Sequence, residues 1–393
     1  MTEYINIKDN MLNCFKGNTP KYVVKSNTLV LNQKCIRNNV IDFSLAQYTE
    51  DKCTNENKIL RLGDLIINST GQGTAGRCAY VSELPNTKVT VDSHMLIVRF
   101  NNKDLSKFFS YFLYKNEELM LTLLTGSSGQ GEFDKERAFN IKFPYCNENK
   151  EIFCKIFDAI ADKIQLNNKI NAELENMAKT LYDYWFVQFD FPDENKRPYK
   201  SANGKMVYNE VLKREIPEGW EVIKFDDLVE QAPKLKAIKA PDYKNQGNIP
   251  IVDQASTLIT GRTDDMSYYY KNERNCVVFG DVTTCFKYIN FPFAKGTDGT
   301  KIINAKDDRI PAILLYQLLK DTKLPNIGFA RHYMFLREIK LLLPPQDICE
   351  KYYQATKGIM DLRAKNLKEN YKLSITRDFL LPLLMNGQVS VQD

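Results

Sequence analysis

The sequence predicts an α+β chain built twice: two mixed α/β globular units, each followed by a long coiled-coil-like helix. Three observations predict it. First, short runs recur in order. Tyr4-Ile5-Asn6-Ile7-Lys8 parallels Trp220-Glu221-Val222-Ile223-Lys224, Leu62-Gly63-Asp64-Leu65-Ile66 parallels Phe279-Gly280-Asp281-Val282-Thr283, and Ile141-Lys142-Phe143-Pro144 parallels Ile339-Lys340-Leu341-Leu342, at offsets of 216, 217 and 198. Second, each of the last runs leads into a long stretch with apolar residues at heptad spacing. Third, the segments before those stretches alternate short β-rich runs with Gly, Asn, Asp and Pro, as small strands and turns do. On these offsets the second unit is shorter by roughly 19 residues, all lost between Gly280-Asp281 and Ile339.

In chain order, residues 1–146 form the first unit, with strands expected at Thr28-Leu31, Ile59-Leu62, Leu65-Ile67, Cys78-Val81 and Met95-Phe100. A helix is expected from Asp104 to about Leu124, with Leu105, Phe108, Phe109, Phe112, Leu119 and Leu123 on its apolar side. The first long helix occupies 147–192. Asn147 is its expected cap, and Glu148 and Glu151 suit its positive end. Its seam is read as Phe153, Ile156, Ile160, Lys163, Asn167, Ile170, Leu174, Met177, Leu181 and Tyr184, of which eight are apolar. A helix of ~36 residues is ~54 Å long, more than one small domain needs. Phe191-Pro192 ends it, and 193–215, rich in Lys, Asn, Gly and Pro, reads as a linker or surface hairpin.

The second unit, 216–343, restarts at Ile216-Pro217-Glu218-Gly219-Trp220 and carries a helix at Ile310-Leu319. The second long helix, 344–393, begins after Pro344-Pro345, where proline suits a first turn, and stops at Gly387. Tyr352, Ala355, Ile359, Leu362, Leu373 and Leu380 lie on one side. Asn366 falls in that seam as Asn167 does in the first. Either the two asparagines are buried and fix register, or they face solvent.

Composition bounds the function. A chain of 393 residues with 43% hydrophobic and 26% charged residues describes two or three ordinary globular domains. A net charge of +5 is compatible with nucleic acid without demanding it. Nine cysteines without a CxxC pair, and only two histidines, argue against zinc and against a disulfide framework. Met1 to Asn10 holds charges and no apolar run, and no stretch approaches the ~20 apolar residues of a membrane span. A cytoplasmic protein is expected.

The motifs for chemistry are few. Gly71-Gln72-Gly73-Thr74-Ala75-Gly76 matches G-x-G-x-x-G, but Arg77-Cys78-Ala79-Tyr80-Val81 reads as extended, whereas a dinucleotide site needs a helix there. A tight surface loop is the expectation, as it is for Gly126-Ser127-Ser128-Gly129-Gln130-Gly131. With His94 and His332 alone, histidine chemistry has little to draw on. No nucleophile elbow, zinc helix or P-loop occurs, nor a Pro-Pro-Tyr-type tetrapeptide of adenine methyltransferases (Asn18-Thr19-Pro20-Lys21 is not one). Basic residues do mix with amides and aromatics in loops of both units. Lys34, Arg37 and Arg77 in the first, and Lys234, Lys236, Lys239, Lys244, Arg262, Lys287 and Arg331 in the second, are candidates for phosphate or guanine contacts. For any one of them a solvated surface charge is the alternative.

The stretch Leu174-Glu175-Asn176-Met177-Ala178-Lys179-Thr180-Leu181-Tyr182-Asp183-Tyr184-Trp185-Phe186-Val187-Gln188-Phe189-Asp190-Phe191-Pro192, followed by Ile216-Pro217-Glu218-Gly219-Trp220-Glu221, resembles the specificity subunit of type I restriction-modification systems. So does the ending Leu380-Leu381-Pro382-Leu383-Leu384-Met385-Asn386-Gly387-Gln388-Val389. The first unit departs from the pattern, opening with Met1-Thr2-Glu3-Tyr4, where Tyr4 is expected to take the place of Trp220 and the unit to be complete. The resemblance implies two target recognition domains in a pseudo-twofold repeat, separated by two antiparallel helices. Each domain would read one half of a bipartite asymmetric DNA site, and the helices would set the spacing and dock two methyltransferase subunits. Restriction subunits would complete the complex. S-adenosylmethionine, ATP and Mg²⁺ would belong to those partners, and this chain would be non-catalytic. A helix of ~54 Å spans ~16 base pairs, so half-sites about one DNA turn apart fall within reach. Ile156, Ile160, Ile170, Leu174, Met177, Ile359, Leu362 and Leu373 are the expected seam. Trp185 and Phe186 are candidates for partner docking, with closure of the local core as the alternative. The competing readings are a DNA-modifying enzyme, nuclease or methyltransferase, with an unrecognised site, and a helical protein–protein scaffold.

Overall fold

The computed structural model describes residues 2–51, 55–71, 73–125, 131–146, 150–231, 234–325, 331–385 and 388–389. The chain forms two compact units, Met1–Asp162 with Leu373–Asp393, and Lys163–Lys372. Each long helix therefore contributes one part to each unit. The expectations at Gln72, Gly126–Gln130, Asn147, Glu148, Asn386 and Gly387 lie outside the described residues.

In the first unit, one four-stranded sheet runs in the order Lys88–Val91, Thr28–Leu31, Gln47–Thr49, Tyr22–Val23. Its first pair is parallel and its other pairs are antiparallel. The other sheet is antiparallel, ordered Met11–Lys16, Met95–Phe100, Leu65–Asn68, Cys78–Tyr80. Thr2–Ile5 pairs with Phe143–Cys146. Helix Lys103–Lys115 buries Phe108, Phe109 and Phe112 beneath these strands. Phe143 stacks on Phe112 at 4.0 Å and meets Phe109 edge-on at 4.6 Å. Phe153 and Phe157 from the first long helix, with Leu381 and Leu384 from the second, close the same cluster.

Two expectations need correction here. Ile59-Leu62 is not a strand: Leu60 N–H donates to Val89 O, and Asp64 N–H reaches back to Arg61 O around Gly63, whose φ is +99°. The expected helix to Leu124 breaks at Asn116, whose side-chain amide donates to Phe112 O at 2.9 Å. A short helix Glu117–Leu121 follows, and Leu124–Thr125 is a strand.

The second unit repeats this plan. Its mixed sheet is Gly261–Thr263, Ile249–Val252, Phe293–Lys295, Tyr269–Tyr270, and again one pair, Ile249–Val252 with Phe293–Lys295, is parallel. Its antiparallel sheet is Val229–Gln231, Thr300–Ala305, Cys276–Gly280, Phe286–Ile289. Glu221–Lys224 pairs with Lys340–Leu343, and helix Ala312–Lys320 covers the sheet. Residues 193–215 include all but the last two residues of a hairpin, Met206–Asn209 against Arg214–Pro217. The repeat also revises the sequence alignment. Because Thr2–Ile5 matches Glu221–Lys224, Tyr4 lies within the strand, largely exposed, and does not take the place of the buried Trp220. Asn68 pairs with Met95 as Gly280 pairs with Thr300, so Gly63-Asp64 opens a strand that Gly280-Asp281 closes. Part of the second unit's shortening therefore falls before its central strand.

The long helices are Lys150–Tyr182, continued by a π-turn at Asp183–Val187, and Gln346–Met385. Within the second unit they pair antiparallel. Tyr352 Oη donates to Ala178 O at 3.0 Å, Arg363 pairs with Glu175, Asn366 Nδ2 donates to Asn171 Oδ1 at 3.0 Å, and Asn167 Nδ2 donates to Asn370 Oδ1 at 2.8 Å. Asn167 and Asn366 are buried, so neither faces solvent, and each is hydrogen-bonded across the helix pair. The seam differs in phase from the expected one. Phe153, Ile160, Asn167 and Leu174 are buried as anticipated, but the other buried positions among the described residues of this helix are Cys154, Phe157, Asn171 and Ala178. Ile156 and Ile170 are half-buried, and Met177 is 55% exposed. On the second helix Tyr352, Thr356, Met360, Arg363 and Asn366 are buried; Ala355 and Leu362 are exposed, and Ile359 and Leu373 half-buried. Trp185 and Phe186 are buried against Tyr352 and Trp220, so they close the local core and are not free for docking.

Candidate nucleic-acid interface

In each unit, four strand ends meet at one edge, and the same three backbone hydrogen bonds tie them together. In the first unit Asp92 N–H donates to Leu31 O at 2.9 Å, Ser69 N–H to His94 O at 2.8 Å, and Met95 N–H to Asp92 O at 3.1 Å. In the second, Gly296 N–H donates to Val252 O at 2.8 Å, Asp281 N–H to Gly299 O at 2.8 Å, and Thr300 N–H to Thr297 O at 3.0 Å. Loops fixed by a repeated backbone frame can vary in side chain without losing position, as recognition surfaces require.

The side chains that brace this edge also repeat. Directly after the parallel strand stand Asn32-Gln33 in one unit and Asp253-Gln254 in the other. Asn32 Oδ1 accepts from Lys34 N–H at 3.0 Å and Asp253 Oδ1 from Ala255 N–H at 2.8 Å, each closing an Asx turn. Gln33 Nε2 donates to Thr70 Oγ1 at 2.9 Å, and Thr70 Oγ1 lies 2.9 Å from His94 Nδ1. Gln254 receives Val282 N–H on its Oε1 at 3.3 Å and Thr283 Oγ1–H on its carbonyl at 2.5 Å. The sequence reading missed this pair. Its signal was Leu31-Asn32-Gln33 against Val252-Asp253-Gln254, at an offset of 221.

What the edges display differs: Thr70 and His94 in one, Thr283 and Thr284 in the other. Thr284 is exposed at φ +57°, a left-handed conformation that a β-branched residue rarely adopts. Such strain concentrates where a loop must hold a set shape. Thr284→Gly is expected to raise the melting temperature, by up to about 1 kcal/mol of stability once glycine's entropy is set against the relieved strain. It should also loosen recognition by that loop. A lower melting temperature would contradict the assignment of strain.

The predicted basic residues divide. Lys34 follows Gln33 and is exposed at the first edge. Arg331 is exposed beside His332, whose N–H donates to Asp281 O at 2.9 Å, which puts it at the second edge. The loop with Lys234, Lys236 and Lys239, all exposed, is tied to that edge by Ile238 N–H on Lys295 O at 3.0 Å. Lys236 lies 4.4 Å from the Tyr268 ring. Arg37 is exposed in the hairpin Ile36–Arg37/Val40–Ile41, and Lys244 is exposed beside Arg262. Three others are committed elsewhere. Arg77 Nε is 3.0 Å from Glu117 Oε1. The Arg262 guanidinium sits 3.1 Å from the Tyr371 ring, and burial lowers its pKa. Lys287 is 5% exposed and its ammonium donates to Asp253 O at 2.7 Å and Thr257 O at 2.5 Å, so it is withdrawn from any surface contact. Gly73–Gly76 turns back on Gly71 and Asn68, with Ala75 N–H on Gly71 O and Gly76 N–H on Asn68 O, and leads into strand Cys78–Tyr80, where a dinucleotide fingerprint would need a helix.

The family model for the type I restriction modification DNA specificity domain matches residues 3–176. The specificity subunit of the type I restriction enzyme MjaIX of Methanocaldococcus jannaschii is 25% identical over 310 residues, covering 72% of this chain and 69% of that protein. The HindI specificity subunit of Haemophilus influenzae is 23% identical over 417 residues, covering 84% and 88%. A crystal structure of an S subunit from M. genitalium aligns over the whole chain and 97% of its own at 12% identity, with a TM-score of 0.48. By the family model over residues 3–176, and by these two relatives over most of its length, the chain is similar to type I restriction-modification specificity subunits.

Proposed function

We propose that this chain is the DNA-reading, non-catalytic subunit of a type I restriction-modification complex, each unit's loop edge reading one half of a bipartite asymmetric site. The observation that carries this is the repeated edge: one hydrogen-bonded frame, built twice, presenting unlike side chains. Exposed Lys34 and Arg331 would meet phosphates or guanine, and the neighbouring hydroxyl and imidazole groups would meet base edges.

The same reading gives the helices the tasks of setting half-site spacing and docking two methyltransferase subunits. Support for docking comes from the face beside the seam. Ile170, Met177 and Tyr184 recur at seven-residue spacing on the first long helix, and Met177 and Tyr184 are exposed. Restriction subunits would join the full complex, with S-adenosylmethionine, ATP and Mg²⁺ held by the partners. No helix among the described residues is long and apolar enough to cross a membrane, which is compatible with work on cytoplasmic DNA.

Exchanging residues 1–146 for the matching unit of a relative tests the assignment. Mapping methylated adenines in cells that carry the partner genes should show one half of the site changed and the other kept. If both halves change, the two edges do not read separately. Modification of DNA by the purified chain alone would favour an enzyme instead.

A further inference from the structure

Within the second unit a cavity of about 220 Å³ opens between helix Ala312–Lys320, strand Phe286–Ile289 and the paired long helices. Its charged walls are unbalanced: Arg363, Lys287 and Lys320 face one carboxylate, Glu175. Arg363 is 7% exposed; its Nε is taken by Glu175, while its Nη1 is buried with no partner. Gln317, 3% exposed, leaves its buried Oε1 without a partner in the same lining. Lys287 donates to the Asp253 and Thr257 carbonyls, but its charge meets a carboxylate, Asp253 Oδ1, only at 4.0 Å, and the Lys320 ammonium rests 5.6 Å from the Tyr316 ring. Burial pulls both lysines below the usual amine range. An excess of buried positive charge and unpaired polar atoms is costly unless something occupies the space.

We propose that this cavity binds a small phosphate-class oxyanion. The demand is for more than negative charge. Arg363 Nη1 needs an acceptor and Gln317 Oε1 a donor, and the half-exposed Lys320 adds positive charge to the same lining. Hydrogen phosphate offers both, through its anionic oxygens and its one P–O–H, whereas sulfate and a DNA phosphodiester carry no such proton. Arg363 comes from the second long helix and Gln317 and Lys320 from helix Ala312–Lys320, so an occupant would clamp these two helices together inside this unit. The inference does not rest on the DNA-reading assignment, and its test uses no partner subunit.

The full-length chain would be titrated with potassium phosphate by calorimetry and by thermal melting, against potassium chloride at matched ionic strength, pH 7. The expected result is saturable binding, a rising melting temperature, and at least tenfold weaker binding of sulfate and of short unphosphorylated duplex DNA. Lys320→Ala, at a half-exposed position, should keep the fold and weaken phosphate by about tenfold. Gln317→Glu should abolish binding by replacing the acceptor amide with a like charge. Lack of saturable binding to the unaltered chain overturns the proposal, as does binding that neither substitution changes. Preference for duplex DNA over phosphate, lost in Lys320→Ala, would mean that the site takes a backbone phosphate and would overturn the assignment to a free ion.

Discussion

Asp64→Ala is expected to remove about 3–5 kcal/mol from the stability of the first unit, the cost of leaving a buried charge without its partner. Asp64 and Arg99 are both buried. Arg99 Nε donates to Oδ1 at 3.0 Å and Nη2 to Oδ2 at 3.2 Å, while Nη1 is held by Asn57 O at 2.7 Å. Oδ2 also accepts Arg61 N–H at 2.9 Å, so the carboxylate fixes the turn that feeds the central strand. Removing it leaves the buried guanidinium without a counter-charge, held only by the Asn57 and Ile59 carbonyls, with Phe15 5.2 Å beneath it. Both tryptophans, Trp185 and Trp220, lie in the second unit, so their fluorescence supplies an internal control. Urea unfolding followed by far-UV circular dichroism should show an early transition that tryptophan fluorescence does not share. Asp64→Leu with Arg99→Met should recover most of the loss, because a buried pair replaced as a whole leaves no orphan. A single Asp64→Ala cost below about 1 kcal/mol would mean that water reaches the site.

The same aspartate shows what the sequence could and could not disclose. The Gly-Asp motif seemed a shared landmark, yet Asp64 and Asp281 do different work. Asp281 follows its strand, and its Oδ1 accepts Tyr333 N–H at 2.8 Å. The position opposite Gly63 is occupied by Asn275, another residue with positive φ. What repeats there is a conformation, and glycine and asparagine both supply it. Strands such as Thr28–Leu31 and Met95–Phe100 were legible because their apolar runs are bounded by turn residues. The edge where they end was not, because its shape is set by hydrogen bonds such as Gly296 to Val252, far apart in sequence. Basic character alone also misled: nothing in the letters separates exposed Lys34 from Lys287, whose ammonium serves two backbone carbonyls.

Heptad phase failed for a related reason, and the error can be tested at two neighbouring turns of one helix. Counting apolar residues favoured Ile156, Ile170 and Met177; the buried positions are instead Phe157, packed on Tyr111 and Phe153, and Asn171 and Ala178, which face the second long helix. Alanine is buried there because close approach lets Tyr352 reach the Ala178 carbonyl, and asparagine because it pairs with Asn366. Hydrophobicity counts undervalue both. Trp185→Ala should therefore destabilise the chain alone by about 3–5 kcal/mol. The indole is 8% exposed, with ring centroids 5.9 Å from Tyr352 and 6.3 Å from Phe186, and its loss opens a cavity that rigid neighbours cannot close. Met177→Ala should change stability by less than about 0.5 kcal/mol, as exposed substitutions do. If the stripe of Ile170, Met177 and Tyr184 docks a methyltransferase subunit, that substitution should instead weaken association by roughly tenfold, the scale of one modest hot spot. Thermal melts of the isolated chain and binding to the purified partner separate the two effects. Trp185→Ala without a stability loss would return the tryptophan to the docking surface, and unchanged partner binding by Met177→Ala would remove the stripe from it.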